Sequence, residues 1–295
     1  MKKRNSLIEL YRFIFAINVI KSHGFLPYNG AYLGPGRISV EFFFVLTGFL
    51  LLPSVLKYTD EPYKKGIFHF MKAKIKAILI PLLIAMPFNA FYYIITDKGY
   101  INLWGYLWYV KQMLLYFIVF FTIRYYVKDE KKFFMIVALY FILCSVLHVI
   151  PSLYETGTFR AGMGISLGVM ISYLPKLNLK KWLVWIMLIP IQILVGYFLI
   201  FGIRDSLVIE EILDLLLFPT LIYLTFQVSV DNKVFNYLGS LSFGLYAFQC
   251  VTRPLVELGL TNLWILFSII VILSVLERLF VKYLKQKEQN KLLLN

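Results

Sequence analysis

Residues Lys181–Phe201 read KWLVWIMLIPIQILVGYFLIF, one lysine followed by a long run without a single charge. At about 1.5 Å of rise per residue, a helix of this length spans roughly the 30 Å hydrocarbon core of a bilayer. A water-soluble helix would alternate polar and apolar faces, and this stretch has no polar face. It predicts a transmembrane helix.

Nine further stretches of similar character surround it. They run over Leu7–Leu26, Ile38–Tyr58, Ile75–Thr96, Leu103–Val127, Lys132–Ile150, Arg160–Leu174, Val208–Val228, Phe235–Leu258 and Leu263–Tyr283. The bulk composition agrees. Of 295 residues, 60% are hydrophobic and 18% aromatic, and the mean hydropathy is +0.75. Soluble domains hold about 45–50% apolar residues. The stretch Arg160–Leu174 is short and carries Gly162, Gly164, Ser166 and Gly168. Small residues let helix backbones approach closely, which predicts a position inside the bundle. The expected fold is an all-α, polytopic membrane bundle of about ten helices, one domain over residues 1–295 with no attached soluble domain.

The net charge of +14 would point to nucleic acid in a soluble protein. Its distribution argues for lipid instead. With the N-terminus inside and ten alternating crossings, roughly 22 Lys and Arg fall on the inner side and about four on the outer. The outer ones are Arg37, Lys98, Arg160 and Arg204. Both termini are then cytoplasmic. Glu9 and Arg12 interrupt the first apolar stretch and no small-residue cleavage site follows, so it reads as a retained span. Cys144 and Cys250 both lie in apolar runs and imply no disulfide framework. The longest polar segment, about Lys57 to Lys76, reads as a basic cytoplasmic loop. It is either a lipid-contacting anchor or a phosphate clamp.

Charges inside a span cost several kcal/mol unless paired or hydrated, which makes each a functional candidate. Arg12 and His23 stand eleven residues apart. On a helix that brings them within roughly 20° of one face, about 16 Å apart along the axis. Glu41 sits about one turn below the outer start of the second span, at a depth similar to that of His23. A carboxylate that orients an imidazole is the usual setting of a general base; a purely structural His–Glu pair fits the same spacing. Lys111 falls near mid-membrane and calls for a partner or water. Glu210, Glu211, Asp214, Arg253, Glu277 and Lys21 fit interfacial positions, where long side chains reach the headgroups.

Five pieces, in order, resemble the membrane acyltransferase-3 family. They are Arg12 and His23 as an Arg-x10-His element, and Ser39-Val40-Glu41-Phe42-Phe43-Phe44-Val45-Leu46-Thr47-Gly48-Phe49. Then come Lys72-Ala73-Lys74-Ile75-Lys76 leading to Pro81, Leu107-Trp108-Tyr109, and Leu238-Gly239-Ser240-Leu241-Ser242-Phe243-Gly244-Leu245-Tyr246. Glu41 and Thr47 replace the family's usual Asp and Ser with residues of the same chemical type. Lys stands where many members have Arg, which loses bidentate phosphate binding. Lys111-Gln112 occupies the region of a fourth-span acidic element, and Gln249 the place where a His often follows the late Tyr.

The resemblance implies an O-acyltransferase of the cell membrane. It would move an acyl group, acetyl first among the choices, from cytosolic acyl-CoA to a hydroxyl of a surface polysaccharide or lipid-linked glycan. His23 and Glu41 are the catalytic candidates. Arg12, Lys74, Lys76, Thr47, Lys111, Arg160 and Tyr246 are the substrate-binding candidates. No metal and no permanently bound cofactor are expected, and acetyl-CoA is a donor substrate. The expected partners are the glycan acceptor, membrane lipid and glycan-synthesis or export proteins, with no nucleic acid. A non-enzymatic transporter or export component is the alternative reading.

Overall fold

The structure is a computed structural model that describes residues 5–24, 32–33, 35–96, 108–148, 150, 157–201, 203–204, 212–251, 255–256, 259–260 and 262–293. Within these it is all-α apart from one short strand pairing. The helices are α1 (Ser6–Gly24), α2 (Pro35–Val55), α3 (Tyr63–Thr96), α4 (Trp108–Tyr126) and α5 (Glu130–His148). They continue as α6 (Thr158–Ile171), α7 (Lys181–Phe201), α8 (Phe218–Thr225), α9 (Lys233–Phe248) and α10 (Leu263–Leu293). A π-helical turn, Leu213–Leu217, leads into α8. Strands β1 (Tyr32–Leu33) and β2 (Ile203–Arg204) pair antiparallel, Tyr32 opposite Arg204.

Each predicted apolar stretch contains or overlaps one of these helices. Four are long and apolar enough to cross a membrane: Ile38–Val55, Glu130–His148, Lys181–Phe201 and Trp264–Leu284. Only 17% of the Lys181–Phe201 window and 22% of each of the Glu130–His148 and Trp264–Leu284 windows are buried. Their outward surfaces, such as Ile186, Ile193 and Ile200 on α7, call for lipid rather than water. The α2 window is 61% buried, which puts α2 among the other helices. The chain therefore has membrane character.

Several hydroxyls within the helices bond to the preceding turn. Ser166 donates to the Gly162 carbonyl (2.6 Å), Thr225 to that of Leu221 (2.6 Å) and Ser274 to that of Ile270 (2.8 Å). Such bonding to the preceding turn removes the need for a partner where water is absent.

The chain divides into two compact units. Unit 1 comprises residues 1–28, 76–102 and 230–295; unit 2 comprises residues 29–75 and 103–229. In unit 1, α1 packs along α9, and α9 on α10. Gly244 on α9 meets Ser274 and the buried Glu277 of α10, so Glu277 is packed against α9. Asn232 caps α9 by accepting from the Val234 and Phe235 amides, at 2.8 and 3.1 Å.

In unit 2, α2 lies against α6, and α6 against α5. The α2–α6 approach rests on glycines. A Cβ on Gly48 would strike the Ile165 main chain, and one on Gly168 would strike that of Val45. This is the close backbone contact that small residues permit. Ten of the 14 residues of α6 are buried, in keeping with its small side chains.

One expectation is corrected. The basic segment before the third span is not a loop, because α3 begins at Tyr63 and runs through Lys64, Lys65, Lys72, Lys74 and Lys76 without a break. Lys and Ala are good helix formers, and hydropathy alone does not register that.

Candidate functional site

Two ion pairs, one in each unit, hold candidate residues. In unit 1, the unbroken helix α1 carries both Arg12 and His23. Arg12 Nη1 donates to Glu9 Oε2 at 2.9 Å, one helical turn back. The Arg12 side chain is 32% exposed and that of Glu9 only 9%. Glu9 is enclosed because α9 comes close at Gly239, where a Cβ would lie 2.5 Å from Glu9 Cβ and 2.6 Å from its main-chain oxygen. The start of α1 is fastened as well. The Ser6 amide donates to the Val230 carbonyl (3.0 Å), and the Asn232 amide donates to Ser6 Oγ (2.8 Å). The side chain of His23 lies outside the described residues, and with it the expected pairing of His23 with Glu41.

In unit 2, Glu41 is fully buried and accepts from Arg160 Nε in an ion pair across 119 positions of sequence. Its Oε2 has no hydrogen-bond partner among the described residues. Arg160 belongs to the first turn of α6, where a cation works against the helix dipole; Glu41 offsets that. The turn is built by Gly157, whose φ of 64° suits glycine. A Cβ there would fall 2.7 Å from the Trp108 ring. Trp108 also lies 5.9 Å from the Arg160 guanidinium, in cation–π range. Two bonds from α4 hold the same turn. Gln112 Nε2 donates to Thr158 Oγ1 at 2.9 Å, and Tyr116 donates to the Thr158 carbonyl at 2.8 Å.

The basic face of α3 has a different character. Lys74 is half-buried, its ammonium 5.4 Å from the Phe70 ring and 5.0 Å from that of Phe117. Burial, with a smaller push from Lys57, lowers its pKa to about 8. Lys72 and Lys76 are exposed. Helical geometry puts those two on one side of α3 and Lys74 on the other. The three lysines therefore do not present a single flat row.

Thr47 on α2 and Tyr246 on α9 are half-buried, with Tyr246 beside the Phe243 ring at 5.9 Å. Lys111 is exposed. Its neighbours Tyr109, Val110, Gln112 and Met113 take the inward side of α4. Glu210, Glu211 and Arg253, and the side chains of Lys21 and Asp214, lie outside the described residues.

Sequence reading passed over Glu9 as a mere interruption of an apolar run. Its i,i+3 spacing to Arg12 was the available signal. For Trp108 and Gly157 around Arg160 no local signal existed.

Neither the curated proteins nor the solved structures yield a match to this chain. A family model for an acyltransferase domain matches residues 5–276, a span that takes in α1 with Arg12 and His23, the α2 signature around Glu41, and α9. The chain therefore belongs to the acyltransferase-3 family, and its activity is that of an acyltransferase.

Proposed function

We propose that the protein crosses the cell membrane ten times with both termini cytoplasmic. It takes an acetyl group from cytosolic acetyl-CoA and esterifies a hydroxyl of a cell-surface polysaccharide or lipid-linked glycan. The observation that carries this reading is Arg12. It shares one unbroken helix with His23, is fixed on one side by Glu9, and is partly exposed.

Several contacts support the crossing number. The β1–β2 pairing joins the loop after the first span to the loop after the seventh. Lys128 Nζ donates to the Thr59 carbonyl (2.8 Å), and the Leu177 amide to Gln227 Oε1 (2.9 Å). The Ser6–Val230 bond ties the start of α1 to the segment before α9. Each contact joins chain ends that the positive-inside assignment puts on the same side.

In the reaction, the acceptor oxygen bonds to the acyl carbon as the carbon–sulfur bond breaks, and coenzyme A leaves as the thiol. His23 takes the hydroxyl proton as general base or carries the acyl group in transit. Arg12, Lys74 and Lys76 are the cations that the family resemblance assigns to the donor's phosphates, although Lys74 and Lys76 leave α3 on opposite sides. Arg160 orients the Glu41 carboxylate, whose second oxygen has no partner among the described residues. Trp108 offers a ring of the kind that stacks on sugars, and Thr47, Lys111 and Tyr246 complete the substrate-binding set.

The test is transfer of labelled acetyl from acetyl-CoA into envelope glycan in native membrane vesicles, with wild type and His23→Ala at matched expression. Label in the wild type that is lost in the variant supports the reading. Equal label in both removes His23 from the mechanism.

A further inference from the structure

We infer that Glu9 is the positioning residue for Arg12, held in a socket that Gly239 opens in α9; this rests on the proposed role of Arg12 in binding the donor. Glu9 is buried against α9 while Arg12 reaches outward, and the two meet at 2.9 Å. A buried carboxylate has little freedom. The socket is so tight that no Cβ fits at residue 239 without displacing Glu9. The fastening of Ser6 to Val230 and Asn232 fixes the same turn of α1. A long arginine side chain at a surface would otherwise sample many rotamers, and holding one Nη aims the remaining donors.

This arrangement makes a prediction about sign. A carboxylate 2.9 Å from a guanidinium also repels an incoming anion. If Glu9 served only as a counter-charge, its removal would tighten the binding of a polyphosphate donor. As a positioning residue, its removal weakens that binding, because Arg12 loses its aim.

The experiment measures KM and kcat for acetyl-CoA in native membrane vesicles. The full-length variants are Glu9→Ala, Glu9→Gln, Arg12→Ala and the double variant Glu9→Ala/Arg12→Ala. We expect Glu9→Ala to raise the donor KM about fivefold with kcat within about twofold. Glu9→Gln, which keeps the shape and one acceptor oxygen, should have a smaller effect. In the Arg12→Ala background Glu9→Ala should add nothing, because coupled residues are non-additive.

A lowered KM in Glu9→Ala would overturn the inference, leaving Glu9 a screening charge. A further loss on top of Arg12→Ala would also overturn it, because Glu9 would then act on the fold and not on Arg12. An unchanged donor KM in Arg12→Ala, with transfer intact, would sink the donor-binding reading itself. Failure of that reading is thus distinct from failure of the positioning role.

Discussion

Arg12 meets Glu9 three residues away on one helix, half in the open, whereas Arg160 meets Glu41 across 119 residues with both partners buried. The chemistry is the same and the consequences differ. The first pair has its cation partly in the open and its carboxylate buried; a surface i,i+3 pair stabilises by only about 0.2–0.5 kcal/mol, and the burial of Glu9 adds to that. Arg12 keeps donors on its open side that a ligand can engage while Glu9 holds one Nη. A buried pair that loses one partner strands a charge away from water, at a cost of about 3–5 kcal/mol. The Arg160–Glu41 pair joins α2 to α6, which already touch through Gly48 and Gly168. The first pair is suited to recognition, and the second to holding α2 and α6 together while presenting one carboxylate oxygen.

The largest effect that sharpens this contrast is expected from Arg160→Ala. It should lower stability by about 3–5 kcal/mol, read as a fall in melting temperature of the detergent-solubilised protein. A melting temperature equal to wild type would break the contrast. Next comes Gly168→Ala, which forces α2 and α6 apart. Overpacking of about 1–3 kcal/mol is expected, by the same measurement, and Gly196→Ala, where a Cβ meets nothing within 4 Å, serves as its control.

A smaller effect comes from Lys74. Its pKa of about 8 lies below the ordinary 10.5, so the folded state binds fewer protons than the unfolded chain between those values. The burial penalty is full below about pH 8 and relieved towards 10.5, and stability gains slightly as pH rises. Anion binding runs the other way, because it needs the charged form. Donor KM should therefore rise about fivefold between pH 7 and 9 as the ammonium is lost. Lys74→Arg, charged throughout, should flatten that rise; an unchanged pH profile in this variant would remove Lys74 from the donor site.

Much of the fold could be read from the chain because lipid imposes one rule, that apolar stretches of sufficient length become helices. The burial of α6 followed from Gly162, Gly164 and Gly168 for the same reason. The helical start of α3 escaped that rule, since Lys64 to Lys76 is polar by hydropathy yet helical by propensity. Within the candidate site, Glu9 and Arg12 were neighbours in sequence and open to inference. The partner of Glu41 was not, because Arg160 reaches it only through the packing of α6 on α2, and nothing near either residue encodes that distance. For Lys111, span position alone did not tell which side of α4 faces inward.

The measurement that tests the account most directly compares Arg12→Ala with Arg160→Ala in one preparation, reading acetyl transfer and melting temperature together. Arg12→Ala should lose transfer at saturating acceptor and limiting acetyl-CoA while losing less stability than Arg160→Ala, because only one partner of its pair is buried. Arg160→Ala should lose stability first and transfer with it. An Arg12→Ala protein that melts as early as Arg160→Ala, or one that transfers acetyl at the wild-type rate, would contradict the assignment of recognition to α1.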